Sequence, residues 1–379
     1  MEPKIRFKGF EGGWKAEELA HVCSVNRGVR VTRNDLHNNG IYPVYQNTDY
    51  PMGYYTKFNV ESNNPFVIVG GSAGLIGFCH TNFWAADDCV FFGDNPIINK
   101  SFLYNNLIFH KTEIKRNVRG ASVPRLDRET LRKLPVSIPS LPEQQEIASY
   151  FTSLDSQISA STSRLASLKQ MKAASLQAMF PQEGETVPKI RFKGFKGEWK
   201  KVKADSIFKT FNEKNRPDLP VLSATQDRGM VTRESIGYNI FHDTSNEATY
   251  KHILPGQFVI HLRSFQGGFA HSEIEGIASP AYTIIDFKNK DLYHDYYWRY
   301  VFMSKEFIKR LELITYGIRD GRSISYDEFK EMSFLVPSKE EQIKIASYLK
   351  NLDRQISLQS QRLEKLKQIK SACLDKMFV

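Results

Sequence analysis

The segment at residues 138–159, "IPSLPEQQEIASYFTSLDSQIS", returns at residues 336–357 as "VPSKEEQIKIASYLKNLDRQIS". In both copies apolar residues follow one another at spacings of four and three, which is the pattern of a coiled-coil seam. Each copy therefore predicts a long helix, the first at 142–180 and the second at 339–379. A polar residue interrupts each seam at the same place. The predicted seam residues are Ile147, Phe151, Leu154, Ile158, Ser161, Leu165 and Leu168 in the first helix, and Ile345, Leu349, Leu352, Ile356, Gln359, Leu363 and Leu366 in the second.

The connection between the helices predicts the direction in which they pair. Residues 181–187 form a short linker that leads straight into the second half of the chain. A parallel pair would force the second half to run back along the first helix, about 57 Å long, so an antiparallel pair is favoured. Ser161 and Gln359 lie near the helix middles, and we expect them to meet in a polar layer that fixes the register. The alternative is two amphipathic helices that each pack separately on their own globular domain.

A second repeat lies near the start of each half. The segment "PKIRFKGFEGGWK" at residues 3–15 matches "PKIRFKGFKGEWK" at residues 188–200, and we expect it to anchor each globular domain to the helices. The regions between the repeats mix β-rich runs with Gly, Asn and Pro turns, which predicts compact α+β domains. The predicted fold is therefore α+β with a pseudo-twofold internal repeat. Its predicted parts are globular domain one at 1–141, helix one at 142–180, a linker at 181–187, globular domain two at 188–338 and helix two at 339–379.

Charge and cysteine content restrict the class of protein. The formal net charge is +10, which favours a polyanionic partner. The four cysteines, Cys23, Cys79, Cys89 and Cys373, form no CxxC pair, so we expect reduced thiols and no metal site. No segment has the length and apolarity of a membrane span or of a signal core, so we expect a cytoplasmic protein.

A search for catalytic motifs predicts no active site. The Gly-rich stretch "GGSAGLIG" at 70–77 lacks the lysine of a phosphate-binding loop, and no HExxH is present. The segment "NNPF" at 63–66 is similar to an adenine methyltransferase motif but lacks its second proline and an accompanying Gly-rich S-adenosylmethionine loop. Asp87 and Asp88 are adjacent, so on a strand they would point to opposite faces, and we expect a turn or a solvated edge there.

Basic loops in both halves have the chemistry of nucleic-acid contact. Residues 111–133 hold eight Lys and Arg around a Gly-Ala-Ser turn, and "GIRDGRSIS" at 317–325 occupies the matching place before the second helix. Arginine binds phosphate or guanine edges, whereas Gln and Asn suit adenine. The alternative is a set of solvated loops. The predicted DNA contacts are Arg27, Arg30, Arg33, Gln46, Asn47, Lys115, Arg116, Arg119, Arg125, Arg263, Gln266, Arg319 and Arg322.

Two different globular domains that alternate with two near-identical helices resemble the DNA-specificity subunits of type I restriction–modification systems. The resemblance covers essentially the whole chain and is most specific in "LPEQQEIASYFTSLDSQIS" (141–159), its second copy, and "VRGASVPRLDRETLRKLPVSIP" (118–139). The globular segments "IYPVYQNTDYPMGYY" (41–55) and "RSFQGGFAHSEIEGIASPAY" (263–282) are also similar to target-recognition domains of that family. The second helix opens with "KEEQ" instead of Pro-Glu-Gln, but the Glu and Gln remain.

The resemblance implies a chain without catalytic activity or cofactor of its own. It implies that each globular domain reads one half of a bipartite, asymmetric DNA site. It also implies two methyltransferase subunits that use S-adenosylmethionine to modify adenine at N6, and two restriction subunits that use ATP and Mg²⁺. The two alternatives are a coiled-coil adaptor that binds only proteins, which explains the helices but not the arginine loops, and a DNA-modifying enzyme, which the missing motifs disfavour.

Overall fold

The computed structural model of the chain describes residues 2–37, 39–225, 228–236, 244–261, 268–314 and 324–379. Its contacts divide the chain into two compact units: unit 1 is Met1–Ser163 with Ser360–Val379, and unit 2 is Arg164–Gln359. Each unit therefore combines a globular part with the first part of one long helix and the last part of the other.

Unit 1 contains nine strands and five helices within its described residues, the fifth helix running on into unit 2. The strands are β1 Lys15–Glu18, β2 Val25–Arg27, β3 Tyr42–Tyr45, β4 Gly53–Tyr55, β5 Asn64–Ile68, β6 Ile76–Cys79, β7 Trp84–Ala85, β8 Cys89–Phe92 and β9 Pro135–Ile138. The helices are α1 Leu19–Val22, α2 Lys100–Phe109, α3 Lys111–Arg116, α4 Arg128–Arg132 and α5 Leu141–Ala178, and a 3-10 turn spans Arg33–Asp35.

The remaining elements begin in unit 2. The strands are β10 Lys200–Lys203, β11 Phe208–Phe211, β12 Leu222–Thr225, β13 Gly229–Thr232, β14 Lys251–Ile253, β15 Phe258–Ile260, β16 Phe269–His271, β17 Gly276–Ala278, β18 Thr283–Phe287 and β19 Ser333–Val336. The helices are α6 Ala204–Ile207, α7 Asp295–Met303, α8 Lys305–Ile314, α9 Tyr326–Glu331 and α10 Lys339–Met377. Two 3-10 turns span Arg233–Ile236 and Thr244–Thr249.

Each unit has its own central antiparallel sheet, and the two sheets have the same strand order although the middle sequences hardly match. The order is β2-β8-β5-β6 in unit 1 and β11-β18-β15-β16 in unit 2. A two-stranded sheet, β1-β9 or β10-β19, then joins the start of each unit to the strand before its long helix. The registers agree as well, since Lys15 pairs with Ile138 and Lys200 pairs with Val336. Unit 1 adds the sheet β4-β3-β7, and unit 2 adds the hairpins β12-β13 and β14-β17.

The long helices pair antiparallel within each unit, as the linker predicts. In unit 1, Lys370 contacts Asp155 at 2.5 Å and Cys373 contacts Tyr150 at 3.4 Å. In unit 2, Lys172 contacts Asp353 at 2.6 Å and Ser175 contacts Tyr348 at 3.3 Å. In both units the residue number of the contact on one long helix falls as the residue number on the other helix rises, which is the pattern of an antiparallel pair. All fourteen predicted seam residues are buried or half-buried, and the polar Ser161 and Gln359 are among the buried ones. A direct meeting of Ser161 with Gln359 stays a prediction.

The repeated "PKIRFKGF" segment anchors each globular part to a long helix, as predicted. Arg6 donates to both carboxylate oxygens of Glu143 at 2.7 and 2.8 Å, and the backbone N–H of Ile5 donates to the Lys376 carbonyl at 3.0 Å. The second copy repeats this geometry. There Arg191 donates to Glu341 at 2.7 and 2.7 Å, and Ile190 donates to Ala178 at 2.9 Å.

The Glu-Gln pair that opens each long helix has a structural role. Glu143 is buried and held by Arg6, with the Trp14 indole N–H at 3.3 Å. The Gln144 amide donates to the carbonyls of Ile97 and Pro139 at 2.9 and 3.0 Å. Gln342 does the same toward Leu292 and Pro337, both at 3.1 Å. These contacts use only the Glu and the Gln, which explains why the second copy tolerates the loss of the preceding proline.

Candidate nucleic-acid interface

Three loops of unit 1 meet at one end of the central sheet and carry two of the predicted DNA contacts, Arg119 and Arg125. They are the β5–β6 connection at 69–75, the β7–β8 turn at 86–88 and the hairpin at 117–127 between α3 and α4; we call them together the loop cluster. The backbone joins the loops directly. Leu126 donates to the Val69 carbonyl at 2.9 Å, Gly71 to Pro124 at 3.2 Å and Val69 to Asp88 at 2.8 Å.

The predicted Gly-Ala-Ser turn is the tip of a short hairpin. The backbones of Arg119 and Arg125 exchange two hydrogen bonds, each 2.8 Å long, so both arginines stand at the base of the same tip. Gly120 has φ +95°, and a Cβ there would lie 2.7 Å from the Val123 carbonyl oxygen. The tip therefore needs glycine for a closure that brings the two arginines side by side.

An ion pair within the loop cluster orients Arg125. Its Nη1 donates to Asp88 Oδ1 at 2.6 Å; the side chain of Arg125 is 59% exposed and that of Asp88 is 18% exposed. Gly70 leaves the space that the carboxylate occupies, because a Cβ at Gly70 would lie 2.7 Å from Asp88 Oδ2. The guanidinium is thus held at one nitrogen while most of the side chain faces solvent.

Two further predicted residues lie on Asp87, the neighbour of Asp88. Arg27 Nε donates to the backbone carbonyl of Asp87 at 2.8 Å, and Gln46 Nε2 lies 3.5 Å from its carboxylate. Arg27, Gln46 and Arg125 come from three separate segments, so the turn at 86–88 brings together residues that are distant in the sequence.

The other predicted residues of unit 1 lie outside the three loops, and two of them contact the β5–β6 connection. The Asn47 carbonyl accepts from the backbone N–H of Ser72 at 3.1 Å, and Lys115 lies against Gly74. The hydroxyl and backbone N–H of Thr32 donate to Asp35 at 2.6 and 2.7 Å; these bonds lower the pKa of Asp35 and order the turn that carries Arg33. Gln46 is half-buried, and the remaining predicted contacts of unit 1 are exposed: Arg27, Arg30, Arg33, Asn47, Lys115, Arg116, Arg119 and Arg125.

The four predicted contacts of the second half, Arg263, Gln266, Arg319 and Arg322, lie outside the described residues. The order of the elements nevertheless matches. The connection between β15 and β16 takes the place of the β5–β6 connection, and the segment between α8 and α9 takes the place of the α3–α4 hairpin.

Sequence reasoning missed Asp87, Asp88 and Gly70 as members of this site. The prediction of a turn at Asp87–Asp88 is confirmed, because Cys89 donates to the Ala86 carbonyl at 2.9 Å. Within this turn Asp88 is mostly buried against Gly70 and paired with Arg125. The sequence held one signal for this: a Gly-Gly pair directly after an apolar strand marks a close approach of the backbone.

Other chemistry of the described residues is structural. Burial raises the pKa of the Cys23 thiol to about 12 and that of Cys89 further still, so both are inert apolar side chains. The part of the chain that the structure describes contains no group of three His, Cys, Asp or Glu side chains placed to hold a metal ion. None of its helices combines the length and apolarity that crossing a bilayer requires.

Two α+β units of the same sheet order, the first of which carries exposed arginines on a loop shortly before its long helix, define a modular protein suited to polyanion recognition. The family model for the type I restriction modification DNA specificity domain matches residues 11–170 and 196–368. The chain belongs to this family and is a DNA-specificity subunit, a non-catalytic component whose partner subunits carry the activities.

Curated relatives agree with this assignment, and a solved structure has the same fold. The chain is 27% identical over 151 residues to a Mycoplasma pneumoniae protein described as a type I specificity subunit, covering 38% of this chain and 41% of that protein. It is 22% identical over 365 residues to the MjaVIII specificity subunit of Methanocaldococcus jannaschii, covering 89% and 85%. The crystal structure of a type I S subunit from M. genitalium has the same fold, with a TM-score of 0.71, 17% identity and coverage of 100% and 99%.

Proposed function

We propose that the chain reads a bipartite, asymmetric DNA sequence, one half-site per globular domain, and does so in the cytoplasm. The domains are those of the sequence analysis, 1–141 and 188–338, held on the helices at 142–180 and 339–379. The repeated anchors and helix openings support a constant frame, and the different middle sequences support two different half-sites.

The observation that carries this proposal is the loop cluster of unit 1. It presents Arg27, Gln46 and Arg125 from three segments around one turn, with Arg119 beside Arg125. Exposed arginines on tight loops bind phosphates and guanine edges, and amide side chains suit adenine. The contact set that we propose is the one predicted from the sequence, and its second-half members are Arg263, Gln266, Arg319 and Arg322.

Alanine substitutions test the contacts, measured with the assembled methyltransferase complex on DNA across a salt series. Arg119→Ala and Arg322→Ala are expected to weaken binding by about 1–3 kcal/mol where the arginine reads a base, and to flatten the salt dependence where it binds phosphate. Arg132→Ala, on the exposed side of α4 and 3.4 Å from Glu129, is the matched control and should bind as the wild type does. Unchanged binding by both test variants would leave these loops as solvated surface.

We propose further that the repeated helices recruit two methyltransferase subunits, which supply S-adenosylmethionine chemistry, and that two restriction subunits using ATP and Mg²⁺ complete the complex. Support comes from exposed side chains that recur at equivalent helix positions. They are Gln157 with Gln355, Arg164 with Arg362, Lys169 with Lys367, and the apolar pair Met171, 49% exposed, with Ile369, 37% exposed.

Glutamate substitutions at the exposed helix positions test this docking surface. Arg164→Glu with Met171→Glu should reduce the methyltransferase subunits bound per chain from two to one, measured by native mass spectrometry. Arg362→Glu with Ile369→Glu should do the same, and the combined variant should bind none. Full binding of two subunits by the combined variant would place the docking surface elsewhere.

The methylated sequence tests the bipartite reading. Sequencing of modified bases in cells that contain the complex should show one methylated adenine per strand, one in each half-site, separated by a gap. Replacing residues 15–120 by those of a relative should change one half-site only. A continuous motif, or a change in both half-sites, would contradict the proposal. A protein-only adaptor would produce no salt-dependent DNA binding at all.

A further inference from the structure

The Asp87–Asp88 turn places two carboxylates inside a set of arginines that we propose to face DNA. A carboxylate near phosphates is repelled by them, so it lowers affinity for every sequence alike. Asp88 is nevertheless fixed there, by its backbone carbonyl, which accepts from Val69 at 2.8 Å, and by the absence of a side chain at Gly70. The contribution of Asp88 to DNA recognition is therefore something other than affinity.

The geometry of the ion pair suggests the benefit. Arginine has five N–H donors in a rigid planar fork, and Asp88 accepts one of them, from Nη1, at 2.6 Å. Because the Arg125 side chain is still 59% exposed, the fork is held at one corner with much of it open to a ligand. A fork fixed in this way loses less conformational freedom when it forms two parallel bonds with a base edge.

The backbone fixes the other end of Arg125. Its N–H and carbonyl both pair with Arg119, at 2.8 Å each, and Leu126 is tied to Val69 at 2.9 Å. The chain at residue 125 and the tip of its side chain are therefore both attached to the same sheet end. The same carboxylate opposes the use of Arg125 as a mobile phosphate contact, because a phosphate would have to approach Asp88.

We propose that Asp88 is a specificity-determining positioning residue, which holds Arg125 for base reading and disfavours its non-specific contact with phosphates. The inference rests on the proposed DNA-reading function of unit 1. In this proposal the Asp88 carboxylate raises the discrimination between DNA sequences while it lowers the affinity for DNA in general. Its repulsion of phosphates acts against the binding of non-target sequences.

Three substitutions separate positioning from net charge. Asp88→Ala removes the partner of Arg125 and one negative charge. Asp49→Ala removes the same atoms and charge from an exposed aspartate that is not a member of the site. Gly70→Ala changes no charge and displaces the Asp88 carboxylate, because its new Cβ would overlap that group. Asp88→Asn, which keeps the shape, replaces Asp88→Ala if the latter does not fold.

The experiment measures the Kd of the complete methyltransferase complex for two DNA duplexes across a salt series. One duplex contains the motif that the complex methylates, and the other is unrelated in sequence. Asp88→Ala and Gly70→Ala should lower the ratio of specific to non-specific affinity by roughly 5- to 100-fold, the value of one bidentate base contact. On unrelated DNA the salt slope should steepen by about 0.9, as Arg125 reaches a phosphate. Asp49→Ala should change the affinity for both duplexes by the same factor, so that the ratio stays within about twofold of the wild type.

A double-mutant cycle with Arg125→Ala completes the test. If Asp88 acts through Arg125, adding Asp88→Ala to Arg125→Ala should change the ratio no further. The inference is overturned if Asp88→Ala and Asp49→Ala have the same effect, or if Gly70→Ala keeps the wild-type ratio. A wild-type complex that does not discriminate between the duplexes would instead overturn the proposed function itself, and the inference with it.

Discussion

Replacing Phe378 by alanine should destabilise unit 1, although this residue stands more than 200 positions after Leu154, the last core residue that the first part of the chain contributes. Phe378 is buried, and four rings surround it: Trp14 at 6.3 Å, Phe102 at 5.3 Å, and Phe109 and Phe151 each at 5.9 Å between centroids. The perturbation therefore removes the centre of an aromatic cluster contributed by α2, α5 and the repeated segment at residues 3–15.

The burial and the ring contacts set the magnitude. Truncating a buried phenylalanine to alanine costs about 3–5 kcal/mol, because it combines lost transfer free energy with a cavity. For a unit of this size each kcal/mol lowers the midpoint of thermal unfolding by about 2–4 °C, so we expect a decrease of roughly 6–20 °C in unit 1. Unit 2 should be unaffected, because its equivalent position is filled by Phe180, which packs on Trp199 at 6.4 Å and Tyr297 at 5.6 Å.

Hydrogen exchange read by mass spectrometry assigns the change to a unit, and calorimetry gives its size. In Phe378→Ala, protection should fall in β5 and α2 and stay unchanged in β15 and α7. Phe180→Ala is the matched control, and its loss of protection should appear in unit 2 instead. If Phe378→Ala weakened unit 2, or left unit 1 with wild-type protection, the assignment of the helix end to the core of unit 1 would be wrong.

Three further predictions follow from single contacts of His294 and Gly28, and a fourth follows from the length of the long helices. His294, which begins α7 without a side-chain cap, corresponds to Asn99, whose side chain accepts from Phe102; His294→Asn should stabilise unit 2 by about 1 kcal/mol in urea unfolding at pH 7.5. Burial lowers the pKa of His294, against the opposing charge of Asp295, so wild-type unit 2 should lose stability as pH falls below about 6.5, and the variant should lose less. Gly28→Ala should destabilise unit 1 by about 1–3 kcal/mol in the same assay, because the new Cβ would overlap the carbonyl oxygens of Ala85 and Ala86; wild-type stability would contradict that close approach. Deleting seven residues from each long helix keeps the heptad phase and shortens each helix by about 10 Å. The gap between the two half-sites of the methylated motif should then be shorter by roughly three base pairs, or activity should be lost. Full activity on the original gap would mean that the helices do not set the spacing.

The features that could be predicted from the sequence are those that depend on local periodicity or on repetition. The seam from Ile147 onward needs only the spacing of apolar residues, and the anchoring role of Arg6 follows from an identical segment at Arg191. The pairing of Asp88 with Arg125 was not predictable, because the two are 37 positions apart and the sheet end that joins them depends on non-local strand pairing. The common sheet order was hidden for a similar reason: strand order depends on burial and pairing, which different side chains can satisfy equally well.

The position of Phe378 also has a consequence for synthesis on the ribosome. Unit 2 is one continuous stretch, Arg164–Gln359, whereas unit 1 needs Ser360–Val379 to close around Trp14 and to give Ile5 its partner Lys376. At about 5–20 residues per second, Ser163 emerges roughly 10–40 s before Ser360 does. The half of the protein that is synthesised first is therefore completed last. Its aromatic core stays incomplete, and accessible to chaperones and to premature association, until unit 2 has had time to fold.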